Sequence, residues 1–339
     1  MESLARKFGY WTAVAENPAV DFFQARARGS GLYIGSRIES DSEFQLPNIV
    51  VSHSMISGSN ELLRFESRFL SWLLTHKTNK ISGLEQFEAD YSEGTTQAFD
   101  SFYTRHKTKR FRCFVGEYFY HLKVWQACDF DWAWTDGNDL QSGDALILSV
   151  PFCDTVVKHN NLDYILDQCN QKNIPVLLDL CYYTISSGIV VDVSHQCVDT
   201  VTFSLSKAWP VGTARIGMRY TRPGIFDGQK LHSSIGYNNN MGAAIGNAVL
   251  DKYGPDWIVD QRIQRYPVIC KVLDLTPTAS VNFGIGDQFW NQHSRRELLK
   301  NYQLDFDPKL FANRICLNKI YQHWDLFVKF IKHELDIEI

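Results

Sequence analysis

The residue of this sequence with the clearest chemical potential is a lysine at the end of an apolar stretch. Lys207 lies in FSLSKAWPVGTARIGMRY (residues 203–220), with Ser204 and Ser206 before it and Arg215 eight residues after it. A lysine amine that is withdrawn from water can have a lowered pKa and become a nucleophile. The two hydroxyls and the guanidinium are donors that suit a phosphate. A lone lysine at a strand end, however, is more often a solvated surface residue.

Three other stretches place polar groups where strands end or helices begin. SEGTTQAF carries Thr95 and Thr96 at a predicted helix N-terminus, which suits an anion or serves only as a helix cap. Asp179 closes the apolar run LLDL and Tyr182 follows it; a carboxylate buried there needs a cationic or N–H partner, whereas in a turn or cap it does not. Arg314 in FANRICL either is half-exposed or binds a carboxylate.

The elements that carry these residues alternate between strand and helix. Such alternation predicts an α/β unit with a mainly parallel sheet, in which ligands bind outside the carboxyl ends of the strands. After about residue 225 the alternation weakens, which predicts a smaller α+β unit at the C-terminus. The strand candidates are residues 111–118, 144–152, 174–182 and 198–206. The helix candidates are residues 61–76, 95–106, 160–173, 241–253, 257–275 with a break near Pro267, and 319–335.

Composition limits the classes of function that need to be considered. The chain has 339 residues, of which 45% are hydrophobic, and a net charge of -4, so neither nucleic acid nor an anionic membrane is an expected partner. The sequence has no apolar run long enough to span a membrane, and its start does not resemble a signal peptide. Eight cysteines without metal-ligand spacing indicate reduced thiols and a cytoplasmic protein, and no metal site is expected.

One ligand would use all of these groups. A phosphate would bind at the threonine loop, the serines and Arg215, an aldehyde would react with Lys207, and a ring nitrogen would pair with Asp179. Pyridoxal phosphate carries all three groups. The sequence therefore predicts pyridoxal phosphate as the cofactor.

The same stretches resemble the class I/II aminotransferase group of the fold type I pyridoxal-phosphate enzymes. SLSKAWPVGTARIG is similar to the lysine signature of that family, and GTTQAF, FVGEYFYH, DLCY and RICL follow in the order of its other motifs. The resemblance runs from about residue 60 to the C-terminus. It implies an aspartate aminotransferase-like fold: a three-layer α/β/α large domain with a mainly parallel sheet, and a smaller α+β domain. The domains would be residues 50–250, and residues 1–49 with 251–339.

The resemblance also implies a role for each candidate residue. Lys207 would form the Schiff base, Asp179 would keep the pyridine nitrogen protonated, and Tyr182 would donate to the phenolic oxygen. Arg314 would bind the α-carboxylate of the substrate. The residues expected to hold the phosphate are Thr95, Thr96, Ser204, Ser206 and Arg215, and Tyr120, or Phe119 one residue earlier, would stack on the ring.

One departure from the family pattern concerns the segment SVPFCDTV. The family has an asparagine that bonds the phenolic oxygen of the cofactor, and here Cys153 stands at that position with Asp154 beside it. An amide donates a hydrogen bond, a thiol donates weakly, and an ionised carboxylate cannot donate. The sequence does not show what replaces this contact.

Function is predicted at the level of the family. The leading interpretation is a ping-pong aminotransferase that takes an amino acid and a keto-acid acceptor. The alternatives are another reaction with the same cofactor (elimination, decarboxylation, cyclisation or oxidation) and a ligand-binding protein without turnover. The family resemblance implies a homodimer, with a partner residue from the first 60 residues or from residues 235–240.

Overall fold

The computed structural model of the protein describes residues 60–288, 290, 310–322 and 324–335. The predictions that concern residues 1–59 therefore lie outside the described residues. In chain order the strands are β1 (Lys80–Ser82), β2 (Glu88–Ser92), β3 (Arg110–Cys113), β4 (Trp132–Trp134), β5 (Asp144–Ser149), β6 (Val176–Asp179), β7 (Val190–Asp192), β8 (Val198–Ser204), β9 (Gly217–Thr221), β10 (Thr276–Pro277), β11 (Phe283–Gly286) and β12 (Asn313–Cys316).

Four helices lie close to predicted segments. Segment 257–275 forms two helices with the break just before Pro267, and 319–335 also carries two helices. The helices Tyr120–Ala127 and Gly228–Ser234 were not predicted. In chain order the helices are α1 (Asn60–Leu73), α2 (Thr95–Arg105), α3 (Tyr120–Ala127), α4 (Leu162–Lys172), α5 (Gly228–Ser234), α6 (Asn240–Lys252), α7 (Trp257–Arg262), α8 (Tyr266–Leu273), α9 (Asn318–Gln322) and α10 (Trp324–Leu335). None of the helices in the described part of the chain is long and apolar enough to cross a membrane.

A seven-stranded sheet with the order β2-β9-β8-β6-β5-β3-β4 forms the framework of the site. Its pairs are parallel except for those of β9, which runs antiparallel to both β2 and β8. The predicted strands β3, β5, β6 and β8 are present but stop earlier than their apolar runs suggested. The predicted α/β fold with a mainly parallel sheet is confirmed.

Both faces of this sheet are buried, which explains why its central strands are almost continuously apolar. On β5, Ala145 and Ile147 pack into one hydrophobic cluster with the aromatic residues of α2 and α3. Leu146 and Leu148, which point to the opposite face, belong to a second cluster that includes α1 and α4. Helices therefore cover the sheet on both sides, and the predicted three-layer arrangement is confirmed.

A three-stranded antiparallel sheet, β10-β11-β12, lies beyond residue 250 and carries Arg314. A buried arginine links this sheet to its helices: Nη1 of Arg262 on α7 donates to Oδ1 of Asn282 (2.6 Å) and to Oδ1 of Asn318 at the start of α9 (2.5 Å). The arrangement agrees with a second unit after residue 250, and the predicted domain boundary stays a prediction.

Candidate active site

The candidate residues gather at the carboxyl ends of neighbouring parallel strands. Asp179, at the end of β6, is in register with Ser149 at the end of β5. Beyond the end of β8 the chain turns into a short 3-10 helix, Leu205–Lys207. The hydroxyl of Ser204 caps this helix by accepting the N–H of Ser206 at 3.2 Å. Local capping therefore positions Lys207 next to the end of β6.

Tyr182 lies close to two cations, Lys207 and Arg314. The Nζ atom of Lys207 is 5.8 Å from the centroid of the Tyr182 ring, and the guanidinium carbon of Arg314 is 5.5 Å from the same centroid. Electron-rich ring faces attract cations at such distances. Residues that are far apart in the sequence thus face one aromatic ring, with an amine and a guanidinium as the available charges.

Arg314 is a buried cation whose environment favours an anionic ligand. Its side chain is 2% exposed, and burial lowers the pKa of the guanidinium to about 9. The ring of Phe283 lies 4.7 Å from its guanidinium carbon, and Nη1 is 3.7 Å from Sγ of Cys153. Because the group remains charged at neutral pH but has lost its water, a carboxylate that reached it would be bound strongly.

Asp179 is equally well enclosed. Burial raises the pKa of its carboxyl to about 6, and the N–H of Cys181, which donates at 3.0 Å, and the charge of Lys207 oppose that rise. A cationic N–H placed beside this carboxylate would return its pKa toward the ordinary range. The residue can therefore hold a protonated ring nitrogen.

Replacing Asp179 with asparagine is expected to stabilise the ligand-free protein at pH 8. Below pH 3.8, the ordinary pKa of an aspartate, the Asp179 carboxyl is protonated in both the folded and the unfolded protein. Between pH 3.8 and about 6 it is ionised in the unfolded chain but still protonated in the folded protein. Over that interval the folded state loses about 3 kcal/mol relative to the unfolded state. An asparagine oxygen still accepts the N–H of Cys181 but carries no charge. Free energies of unfolding at pH 8 and pH 4 check this: the gain should be present at pH 8 and nearly absent at pH 4.

The opposite side of the site is built for an anion. Nη2 of Arg215 donates to Oγ1 of Thr96 (3.0 Å) and to the carbonyl of Glu93 (2.9 Å), so the guanidinium sits at the N-terminus of α2. Gly94 makes this approach possible: it has φ 73°, and a Cβ there would lie 2.5 Å from Nη2 of Arg215. Thr95 is the first residue of α2 and is buried.

Ser206 provides a direct test of whether a ligand fits. Its side chain is 4% exposed, and its hydroxyl has no hydrogen-bond partner within the described residues. A buried hydroxyl without a partner is costly, so a ligand atom that accepts its hydrogen would remove the cost. Lys207 follows Ser206 directly, and Ser204 lies on the same short segment. This observation supports a phosphate or another polar group at this position.

Two tyrosines, Tyr118 and the expected Tyr120, lie within the electrostatic reach of Arg215. The hydroxyl of Tyr120 donates to the carboxylate of Asp100 on α2, at 2.9 Å from both oxygens. Tyr118 instead feels the charges of Asp179 and Arg215, and burial raises the pKa of its phenol to about 12. The two tyrosine rings are nearly parallel, 6.0 Å apart. The sequence pattern predicted Tyr120 or Phe119, so Tyr118 is a candidate that only the structure adds.

The structure also shows what occupies the position of the missing asparagine. The Cys153 thiol faces Arg314, as described above, whereas Oδ2 of Asp154 accepts the N–H of Ala312 at 2.7 Å. Asp154 thus fixes the chain just before β12. The two side chains that replace the family pattern both act on the segment that carries Arg314.

Comparison with known proteins supports the same assignment. Residues 153–267 match the family model described as aminotransferase class I and II. No curated protein sequence matches the chain. Tyrosine aminotransferase from Leishmania infantum superposes with a TM-score of 0.55 at 13% identity, covering 92% of this chain and 98% of that one. A pyridoxal-phosphate-bound C–S lyase from Staphylococcus hominis gives 0.56 at 11% identity, covering 91% and 86%.

A third similar structure, aminotransferase AspB from Helicobacter pylori, gives a TM-score of 0.56 at 13% identity and covers 83% of this chain and 90% of that one. Identities this low establish the fold but not the reaction. The family is pyridoxal-phosphate-dependent and includes both aminotransferases and lyases. The chain therefore has the same fold as these pyridoxal-phosphate enzymes, and its residues 153–267 match the model of the class I and II aminotransferases.

Proposed function

We propose that the protein is a pyridoxal-phosphate-dependent aminotransferase that acts on an α-amino acid. The observation that carries this proposal is the pair of cations on the Tyr182 ring, 5.8 Å and 5.5 Å from its centroid. One is a lysine amine beside a buried carboxylate, and the other is a buried guanidinium suited to the carboxylate of an amino acid. A reaction at the α-carbon needs an amine and a carboxylate site that reach one small substrate, and both cations lie close to the same ring.

The residues present fit the cofactor at each of its functional groups. Arg215, Thr95, Thr96, Ser204 and the unsatisfied hydroxyl of Ser206 would hold the phosphate. Asp179 would hold the ring nitrogen in its protonated form, and Tyr182 would donate to the phenolic oxygen. Tyr118 and Tyr120 are the aromatic candidates for the ring face. When bound, pyridoxal phosphate supplies an electron sink and a carrier for the amino group.

The residues of the chain would perform the remaining steps. Arg314 binds the α-carboxylate and so orients the Cα–H bond of the amino acid. Nζ of Lys207 would hold the cofactor, and the Lys207 amine would take up and return the α-proton of the substrate. Burial around Asp179 and Arg314 excludes water, which strengthens both charge interactions.

Replacing Ser206 with alanine is expected to weaken the binding of the cofactor without lowering the stability of the fold. The hydroxyl has no partner among the residues that the structure describes, so its removal should leave the free energy of unfolding unchanged or slightly higher. A hydrogen bond to a charged phosphate would be lost, which raises the dissociation constant of pyridoxal phosphate by about tenfold to a hundredfold. Fluorescence titration with the cofactor, and denaturation without it, measure the two effects separately. A loss of stability with unchanged cofactor affinity would contradict this role.

The reaction type can be tested with purified protein, pyridoxal phosphate and a panel of amino acids. An aminotransferase converts about one equivalent of donor without a keto-acid acceptor and turns over continuously when an acceptor is added. Release of thiol, ammonia or CO₂ at the same rate without an acceptor would establish a lyase or decarboxylase instead. The resemblance to the Staphylococcus hominis C–S lyase makes sulfur-containing amino acids an essential part of the panel.

The proposed partners are an amino acid and a keto acid. A homodimer is proposed because the family typically forms one, and the cytoplasmic location remains a prediction. Sedimentation of the purified protein, with and without cofactor, would determine the oligomeric state.

A further inference from the structure

A buried carboxylate outside the proposed catalytic set lies directly behind the site. Glu117, between β3 and α3, is 2% exposed. Its Oε1 accepts the backbone N–H of Ser149 at 2.7 Å, and its Oε2 accepts the hydroxyl of the same serine. Ser149 ends β5 and is in register with Asp179. One carboxylate therefore fixes both polar groups of Ser149 at the edge of the site.

Ser149 in turn forms a hydrogen bond with the segment that follows β5. Its hydroxyl oxygen accepts the N–H of Cys153 at 2.8 Å. The same hydroxyl thus donates to Glu117 and accepts from Cys153, so its orientation is fixed at both ends. We call residues 150–154 the Cys153 turn. A chain of hydrogen bonds that begins at Glu117 and passes through Ser149 fixes this turn at Cys153.

Packing holds the same two segments together. Gly116 has φ 109°, and a Cβ added there would lie 2.6 Å from Cβ of Asp154 and 3.0 Å from the ring of Phe152. The segment that carries Glu117 therefore contacts the Cys153 turn without intervening space. At its other side the turn reaches the segment of Arg314, through the Cys153 thiol and through Asp154, which accepts the N–H of Ala312.

From these contacts we propose that Glu117 is a positioning residue that, through Ser149, holds the Cys153 turn so that the thiol of Cys153 packs against the guanidinium of Arg314. The consequence for substrate binding rests on the function proposed above, because it assumes that Arg314 binds the substrate carboxylate. The placement of Cys153 does not depend on that assumption.

The chain of contacts can be tested by the reactivity of individual cysteines. Glu117→Gln keeps the size of the side chain but removes the second acceptor, and Ser149→Ala removes the acceptor for the N–H of Cys153. Each variant should raise the rate at which iodoacetamide labels Cys153 by about tenfold or more, since the loss of one buried hydrogen bond favours local opening by that factor. Peptide mass spectrometry resolves the individual cysteines, with exposed Cys128 as the reference for intrinsic reactivity.

Controls separate a local effect from general loosening of the fold. Cys169, buried on α4, should keep its labelling rate, and exposed Glu85→Gln should change nothing. The double variant of Glu117 and Ser149 should label no faster than the faster single variant, because both changes interrupt one chain of contacts. Equal acceleration of Cys153 and Cys169, or unchanged labelling of Cys153 in both folded variants, would overturn the proposal.

A kinetic measurement then tests the consequence for the substrate. In Glu117→Gln the KM of the amino donor should rise severalfold, while the affinity for pyridoxal phosphate stays within about twofold of the original. Selective labelling of Cys153 with unchanged KM would retain the positioning role and remove its link to substrate binding. Because labelling is measured on the cofactor-free chain, it remains interpretable even if the protein proves not to be an aminotransferase.

Discussion

Replacing Lys207 with alanine is expected to abolish covalent attachment of pyridoxal phosphate and to slow conversion of the amino donor by about a hundredfold to ten-thousandfold or more. The lower bound is the contribution of one well-placed acid–base group. The amine lies at the end of the short helix that follows β8, 5.8 Å from the Tyr182 ring centroid, and its charge acts on the Asp179 carboxylate. Borohydride reduction followed by peptide mass spectrometry should find the cofactor on Lys207 in the original protein and on no lysine in the variant.

The effect must be specific to this lysine. Lys271, exposed in the last turn of α8, provides the matched control, and Lys271→Ala should retain both the attachment and the rate. A small primary amine added to the Lys207→Ala protein should recover part of the rate, because it can move the proton in place of the side chain. A Lys207→Ala protein that converts the donor at the original rate would exclude the proposed role.

Replacing Arg314 with methionine is expected to raise the KM of an amino-acid donor by about thirtyfold to a thousandfold. That range is the usual consequence of removing one partner from a buried charge pair. The guanidinium is 2% exposed, and burial already lowers its pKa to about 9, so the protein holds this charge at a cost. Methionine removes the charge and keeps much of the volume.

Two controls distinguish carboxylate binding from general damage. An amine substrate without a carboxylate should be used equally well, or equally badly, by the original protein and by Arg314→Met. Arg262 is just as buried but donates to Asn282 and Asn318, so Arg262→Met should lower the melting temperature and leave the KM nearly unchanged. If Arg314→Met binds the amino acid within about threefold of the original, the residue does not hold the carboxylate.

Sequence patterns predicted the framework because it depends on local preferences and on burial. The four apolar runs that supply β3, β5, β6 and β8 are long enough to be buried on both faces, and α4, between β5 and β6, matches a predicted helix. The runs overestimated the strands because apolar residues continue into the turns of the site. IPVLLDLCY was expected to extend to residue 182, whereas β6 ends at Asp179 and Tyr182 already lies in the following turn.

Other features could not be predicted because they depend on contacts between distant segments. Strand β9 is antiparallel to its neighbours, a property that its composition does not show. The proximity of Gly94 to Arg215, 121 positions later in the chain, arises only when β2 and β9 pair. Likewise, the sequence predicted Tyr120 or Phe119 for ring stacking, whereas the proximity of Tyr118 to Asp179 and Arg215 depends on tertiary contacts.

The sequence by itself determined the kind of chemistry: a lysine, a carboxylate, a phosphate loop and an arginine in an order that suits one cofactor. It did so because these residues follow apolar strands, and parallel strands bring their carboxyl ends to one edge. Tertiary structure alone decided how the unusual segment SVPFCDTV is used. Contacts between separate segments place Cys153 against Arg314 and bind Asp154 to the chain just before β12. Hydrogen bonds from Ser149, which is fixed by Glu117, hold the same segment at Cys153. Those contacts join residues from separate elements, and no local pattern specifies them.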